Sequence, residues 1–167
     1  QIEHLEEYGF DEVILATNFK SRYIENFFGD GSQYGVNLQI SKEDKPLGTV
    51  GPLSLLKGQL DKPFLLMNGD ILTKLNFSDM YEFALEKQAK LTIGVKTIFT
   101  PFRFGNIESE GDFVTNIEEK PDIEMNVLAG IYIMTPEIFE HIPENEPFGM
   151  DQLIKKMLAE GDPIAQY

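Results

Sequence analysis

The chain has 167 residues, 42% of them hydrophobic, which suits one domain with a real core and argues against disorder. Acidic residues number 28 against 14 basic ones, a formal net charge of -14, so the bulk surface repels nucleic acid and anionic membranes. There is no cysteine, hence no disulfide or thiolate metal site, and there is neither an apolar run near the roughly 18 residues of a membrane span nor a signal-peptide pattern.

Ile2, Leu5 and Tyr8 lie at helical spacing, with Gly9 in the C′ position, so the chain opens inside a helix and is expected to be a piece of something longer. Val13-Ile14-Leu15-Ala16 reads as a short buried strand. Ser21 offers an N-cap for a helix carrying Ile24, Phe27 and Phe28 on one face and closed by Gly29. Val36, Leu38 and Ile40 alternate with polar residues, the mark of a strand with one wet face. Thr49 can cap a helix over Val50, Leu53 and Leu56, and Gly48 before it lets a ligand come close to the backbone. Free amides there could serve a flat base or a phosphate, although a plain loop-to-helix junction accounts for the same residues.

The stretch Pro63 to Thr73 is the most informative. Phe64 to Met67 is apolar without alternation, as in a strand buried on both faces of a parallel sheet. Asn68-Gly69-Asp70 follows at once, at the carboxyl end where open α/β sheets bind ligands, and a lone carboxylate there suits Mg²⁺. Asn-Gly is also the strongest short hairpin signal, but the preceding residues do not alternate as hairpin strands do.

Phe77 to Lys87 reads as a helix capped by Asn76 or Ser78, and Leu91 to Val95 as a strand. Phe102 to Glu108 and Asp112 to Ile117 read as two strands around a polar turn, leading into the charged loop Glu118-Glu119-Lys120-Pro121. Val127 to Met134 is a long apolar strand with Gly130 at its centre, where glycine often marks a close approach. Pro136 to His141 and Asp151 to Glu160 read as helices, with His4 and His141 as surface helix residues. The rhythm of strands and helices is that of a doubly wound α/β fold.

Pro-Leu-Gly-Thr (46–49), Phe-Leu-Leu-Met-Asn-Gly-Asp (64–70), Glu-Glu-Lys-Pro (118–121) and Ala-Gly-Ile-Tyr (129–132), in that order, resemble the sugar-1-phosphate nucleotidyltransferases. The likeness is strongest to the mannose-1-phosphate guanylyltransferase-like branch, which includes members carrying regulatory CBS domains. It implies a Rossmann-like α/β/α sandwich with a mixed, mostly parallel sheet, a cytoplasmic enzyme, and substrates that are an NTP and a sugar 1-phosphate. It admits a homo-oligomer and a CBS domain in the same chain. Carried over, Asp70 and Lys120 are the catalytic residues, Asp70 holding Mg²⁺ and Lys120 meeting the sugar phosphate. Glu43, Gly48, Thr49, Asn68 and Gly69 serve the nucleotide, while Gly105, Glu119 and Gly130 serve the sugar. Glu43 falls where such enzymes read the base edge, and a carboxylate accepts from adjacent guanine donors, which favours GTP.

Residues 1–167 are thus expected to be part of a catalytic domain. The glycine-rich triphosphate loop belongs upstream of Gln1 and the second metal carboxylate downstream of Tyr167, and a sheet without its upstream strand should have an unpaired position. Leu128 stands where the family usually has an Asn for the sugar. That departure points to a rival of another class, a catalytically silent homologue sensing NDP-sugars, whereas Asp70 together with Lys120 points to the enzyme.

Overall fold

A computed structural model describes residues 1–167. In chain order the elements are α1 (Ile2–Glu7), β1 (Glu12–Thr17), α2 (Ser21–Phe28), β2 (Asn37–Lys42), β3 (Phe64–Met67), α3 (Phe77–Lys87), β4 (Leu91–Pro101), β5 (Asn106–Glu110), β6 (Phe113–Glu118), β7 (Asp122–Met134), α4 (Met150–Glu160) and β8 (Ile164–Gln166). Short 3-10 turns occupy Ser32–Tyr34, Gly51–Leu56 and Pro136–Glu140. The chain divides into two compact units, residues 1–93 with 130–167, and residues 94–129. No helix is long and apolar enough to cross a membrane.

The first unit is mixed α/β. β1 and β2 pair in parallel, Val13 opposite Leu38, and these two residues join Ile2 and Val36 in a small core. A separate sheet has the order β3-β7-β4-β8, in which β3 runs antiparallel to β7 and β8 parallel to β4. α3 packs below this sheet because Phe77, Met80 and Ala84 fall on one helical stripe and are buried with Leu5, Ile131 and Ile133. Its first turn is held by the Asn76 side chain, which accepts from the Asp79 amide at 3.2 Å. β1 and β3 belong to different sheets, each bonded along one edge only.

The second unit contains the β5–β6 hairpin, with Ile107 opposite Ile117 and a bulge between Glu108 and Ser109. Every residue of both strands is exposed.

Several elements differ from the sequence reading, each because of a distant partner or a local backbone choice. β3 is half-buried and antiparallel to its neighbour rather than enclosed in a parallel sheet. Asn68-Gly69 does lie in a turn, yet not a hairpin turn, since the partner of β3 is β7. α2 begins after Lys20, whose left-handed backbone (φ 58°) makes the start, so Ser21 is its first helical residue and not its cap. The segments after Val50 and Thr135 are 3-10 turns, each with Pro in the opening turn, where a missing amide matters least. β5 starts at Asn106, four residues later than the apolar pattern suggests, because Arg103 and Phe104 bend before the ladder forms.

Phe77 is 1% exposed and touches helix, strand and the first turn of the chain. Phe77→Ala should lower unfolding stability by about 3–5 kcal/mol, read from the denaturant midpoint at unchanged slope.

Candidate active site

β3 ends by handing its ladder to a turn. The Asn68 amide donates to the Gly130 carbonyl at 2.9 Å, continuing the β3–β7 pairing by one residue, and the Ile71 amide then donates back to the Asn68 carbonyl at 3.3 Å. Gly130 has φ +74°, and a Cβ there would lie 2.9 Å from Asn68 Nδ2. The close approach foreseen at Gly130 is therefore made by the Asn68 side chain. Together these contacts fix the backbone that carries Gly69 and Asp70, leaving the Asp70 carboxylate exposed.

The second wall is the loop after β2. Glu43 Oε2 accepts from the Leu47 amide at 2.9 Å, and Asn18 Nδ2 donates to the Glu43 carbonyl at 3.1 Å. Leu47 and Phe148 bond through the Phe148 amide, while the Phe148 carbonyl accepts from both Val50 and Gly51 at 3.0 Å. Gly48 (φ +79°) fits here because a Cβ would come within 2.9 Å of that carbonyl. Thr49 caps a distant helix rather than its own segment: its hydroxyl accepts from the Met150 amide of α4 at 3.0 Å.

Six of the residues singled out from sequence, Glu43, Gly48, Thr49, Asn68, Gly69 and Asp70, line a single cavity of about 970 Å³. Ala16 and Thr17 at the end of β1 line it too. They follow an apolar strand just as Asp70 does, which is the signal that would have found them. Asn18 and Phe148 act one step back, through Glu43 and Gly48. Phe148 has no sequence signal, since its role is played by its backbone.

Gly105, Glu119 and Lys120 lie in the second unit and come together there. A Cβ on Gly105 would sit 3.2 Å from Glu119 Oε2, and Lys120 Nζ is 3.7 Å from Glu119 Oε1. Lys120 has a left-handed backbone (φ 50°), with its ammonium largely in solvent. Leu128 is 49% exposed.

Two places could take a cation. Asp70 offers a hard oxygen donor at the cavity wall, the chemistry Mg²⁺ prefers. His141, Glu160 and Asp162 form a second group, with donor atoms within 4.8 Å of one another. Far from being a surface residue, His141 is 3% exposed, its two ring nitrogens 3.0 Å from Glu160 and 3.1 Å from Asp162. Lys90 already lies 2.6 Å from Asp162 and holds that carboxyl below the usual range, so a cationic side chain serves this group.

The family model described as nucleotidyl transferase matches residues 1–167. The chain is 32% identical over 152 residues to mannose-1-phosphate guanylyltransferase 1 of Arabidopsis thaliana, covering 85% of this chain and 42% of that protein. It is 31% identical over 168 residues to the mannose-1-phosphate guanylyltransferase catalytic subunit beta of Danio rerio, covering 96% of this chain and 46% of that protein. The chain thus spans about half the length of the curated relatives it matches. Among solved structures, HddC from Yersinia pseudotuberculosis superposes with a TM-score of 0.74 at 22% identity, covering 99% of this chain and 73% of that one, which shows the shared fold.

Gly48 is the most demanding backbone position of the cavity wall. Gly48→Ala meets both a left-handed φ and the Phe148 carbonyl, and should cost about 1–3 kcal/mol of stability. A thermal melt of the variant beside Gly58→Ala, also at positive φ but with nothing within 4 Å, separates the contact from the backbone strain.

Proposed function

The chain belongs to the nucleotidyl transferase family over all 167 residues, and on that premise we propose that the whole protein transfers a guanylyl group from GTP to mannose 1-phosphate, giving GDP-mannose and pyrophosphate. The observation that carries this reading is the shared cavity of the first unit. The Asp70 carboxylate on its glycine turn, the amide-rich loop from Glu43 to Thr49 and the end of β1 at Ala16 and Thr17 meet on it.

In the reaction a phosphate oxygen of the sugar substrate attacks the α-phosphorus of GTP in line, and the bond to the departing pyrophosphate breaks. Little covalent work falls to the protein, so rate comes from positioning and charge neutralisation. Asp70 would hold Mg²⁺, which when bound neutralises charge on the phosphates. Asn68 and Gly69 set the height of Asp70 through the bond to Gly130. Gly48 and Thr49 line the base end, fixed by Phe148 and Met150. In the second unit Lys120 would neutralise the phosphate of the sugar substrate and Glu119 would accept from its hydroxyls, while Gly105 leaves room for the ring.

GTP is favoured on two grounds. Both relatives above carry guanylyltransferase in their names. Glu43 supplies an acceptor: Oε2 is taken by the Leu47 amide, while Oε1 has no protein partner. Guanine offers N1–H and N2–H₂ as adjacent donors, whereas uracil and thymine would face the carboxylate with oxygen lone pairs.

In the whole protein, Asp70→Ala should abolish metal-dependent pyrophosphate release while leaving the thermal melt within about 0.5 kcal/mol of wild type, because Asp70 is exposed. Turnover at the wild-type rate would remove this reading. Glu43→Gln retains an acceptor for Leu47 but loses a charged acceptor at the cavity, and should narrow the preference for GTP over UTP by about tenfold. The check is kcat/KM for the four NTPs, and a wild type preferring UTP or dTTP would refute the base assignment.

A further inference from the structure

We propose that His141, Glu160 and Asp162 form a second metal site, which takes a divalent ion of the zinc type at the end of β3 remote from Asp70.

The way the chain returns to its sheet brings these residues together. β7 ends at Met134, opposite Phe64, so the turn at Pro136–Glu140 leaves at the start of β3 and away from Asp70. His141 follows that turn. α4 closes at Glu160, and the left-handed Gly161 (φ 78°) reverses the chain so that Asp162 faces the same imidazole before β8 begins. Lys156 Nζ donates to the His141 carbonyl at 3.0 Å, which ties the histidine backbone to α4.

The histidine itself points to a ligand. It is 3% exposed, and neither ring nitrogen makes a hydrogen bond, although Glu160 and Asp162 stand 3.0 and 3.1 Å away. At such short separations the oxygens must lie off the N–H directions. A neutral ring would turn a lone pair toward one carboxylate. A protonated ring would hold two buried N–H groups without an aligned acceptor. A cation on one ring nitrogen removes both conflicts, because the lone pair gains a partner and the other N–H is left to a carboxylate, as is usual for metal-bound histidine.

Spacing and charge fit the same ion. Adjacent ligands about 2.1 Å from one zinc stand roughly 3.0–3.4 Å apart. One donor atom from each residue lies within 4.8 Å of the others, and the half-exposed Glu160 can turn inward to close the gap. Lys90 takes only Oδ1 of Asp162, at 2.6 Å, and leaves Oδ2, the oxygen facing His141. That lysine is shared with Glu140 at 4.0 Å, while Glu160 pairs with no lysine or arginine, so negative charge is in excess. An imidazole beside two carboxylates suits zinc better than Mg²⁺, which prefers oxygen ligands. The bound ion clamps the exit of β7 to the end of α4 and the entry of β8.

The test uses the whole protein carrying Asp70→Ala, which removes the other proposed cation ligand, with zinc chloride as the titrant in calorimetry and thermal melts. Zinc at saturation should raise the melting temperature by about 5 °C over the melt in EDTA. Adding Glu160→Ala should weaken zinc binding by about tenfold or more and shrink that rise. Glu144→Ala, which removes an exposed acid paired with Lys57, should leave zinc affinity unchanged. His141→Gln should abolish zinc binding, and where that buried substitution fails to fold, Glu160→Ala decides alone. No zinc-dependent rise, or equal zinc affinity with and without Glu160→Ala, overturns the proposal. Neither result touches the proposed transfer reaction, whose cation belongs to Asp70.

Discussion

The absence of a side chain at Gly130 is the constraint on which the candidate site depends. Asn68 fills the space a Cβ would take, and its amide bonds the Gly130 carbonyl at 2.9 Å. The β3–β7 ladder, in register from Phe64 opposite Met134 to Met67 opposite Ile131, thereby extends by one residue and stops. A larger residue at 130 would have to adopt a left-handed φ of +74° and displace the Asn68 side chain, crowding the turn that carries Asp70. The core beneath, where Ile131 and Ile133 pack on Phe77 and Met80, sets the height of β7 and so of this contact. Packing, ladder and carboxylate form one mechanical series.

The opposite wall is built on another principle. Residues 47–51 have no regular structure strong enough to hold them, so they borrow order from residues 148–150. The Phe148 carbonyl takes two amides, and the Thr49 hydroxyl takes the first amide of α4. This satisfies a free donor at the start of α4, which has only Gly149 as its N-cap residue. A loop pinned this way can keep one shape beside open solvent without burying much apolar surface.

What was legible in the sequence was whatever depends on near neighbours. The helix stripe at Phe77, Met80 and Ala84, the Asn76 cap, and the strand-then-Asp pattern at 64–70 are all local, and each lies where its spacing indicates. The gathering of Glu43, Gly48, Thr49 and Asp70 on one cavity followed from the order of motifs together with a familiar topology. What escaped is set by contacts far apart in the chain. Thr49 has the form of an N-cap, but its hydroxyl serves a helix 101 residues away. His141 sits on a polar-looking segment, yet the Gly161 turn brings Asp162 back to face it, and two carboxylates make its burial tolerable. The antiparallel partner of β3 is likewise invisible in Phe64–Met67, since a short apolar run reads the same in either direction.

On the proposed function, a chain with net charge -14 must take up phosphates against its own field. At long range the surface repels polyanions, with a reach of about 8 Å at physiological salt. Within that distance only nearby groups count, and backbone dipoles and individual cations then outweigh the distant carboxylates. In the first unit, turn and loop amides stand beside the Asp70 carboxylate, and no lysine lines the cavity. In the second unit Lys120 lies beside Glu119, where the hairpin ends. On the proposed reading this separation is chemically sensible. A nucleotide can arrive with its own divalent cation, so its pocket needs acceptors for metal and base. A sugar phosphate arrives without that partner, and the protein must supply the positive charge.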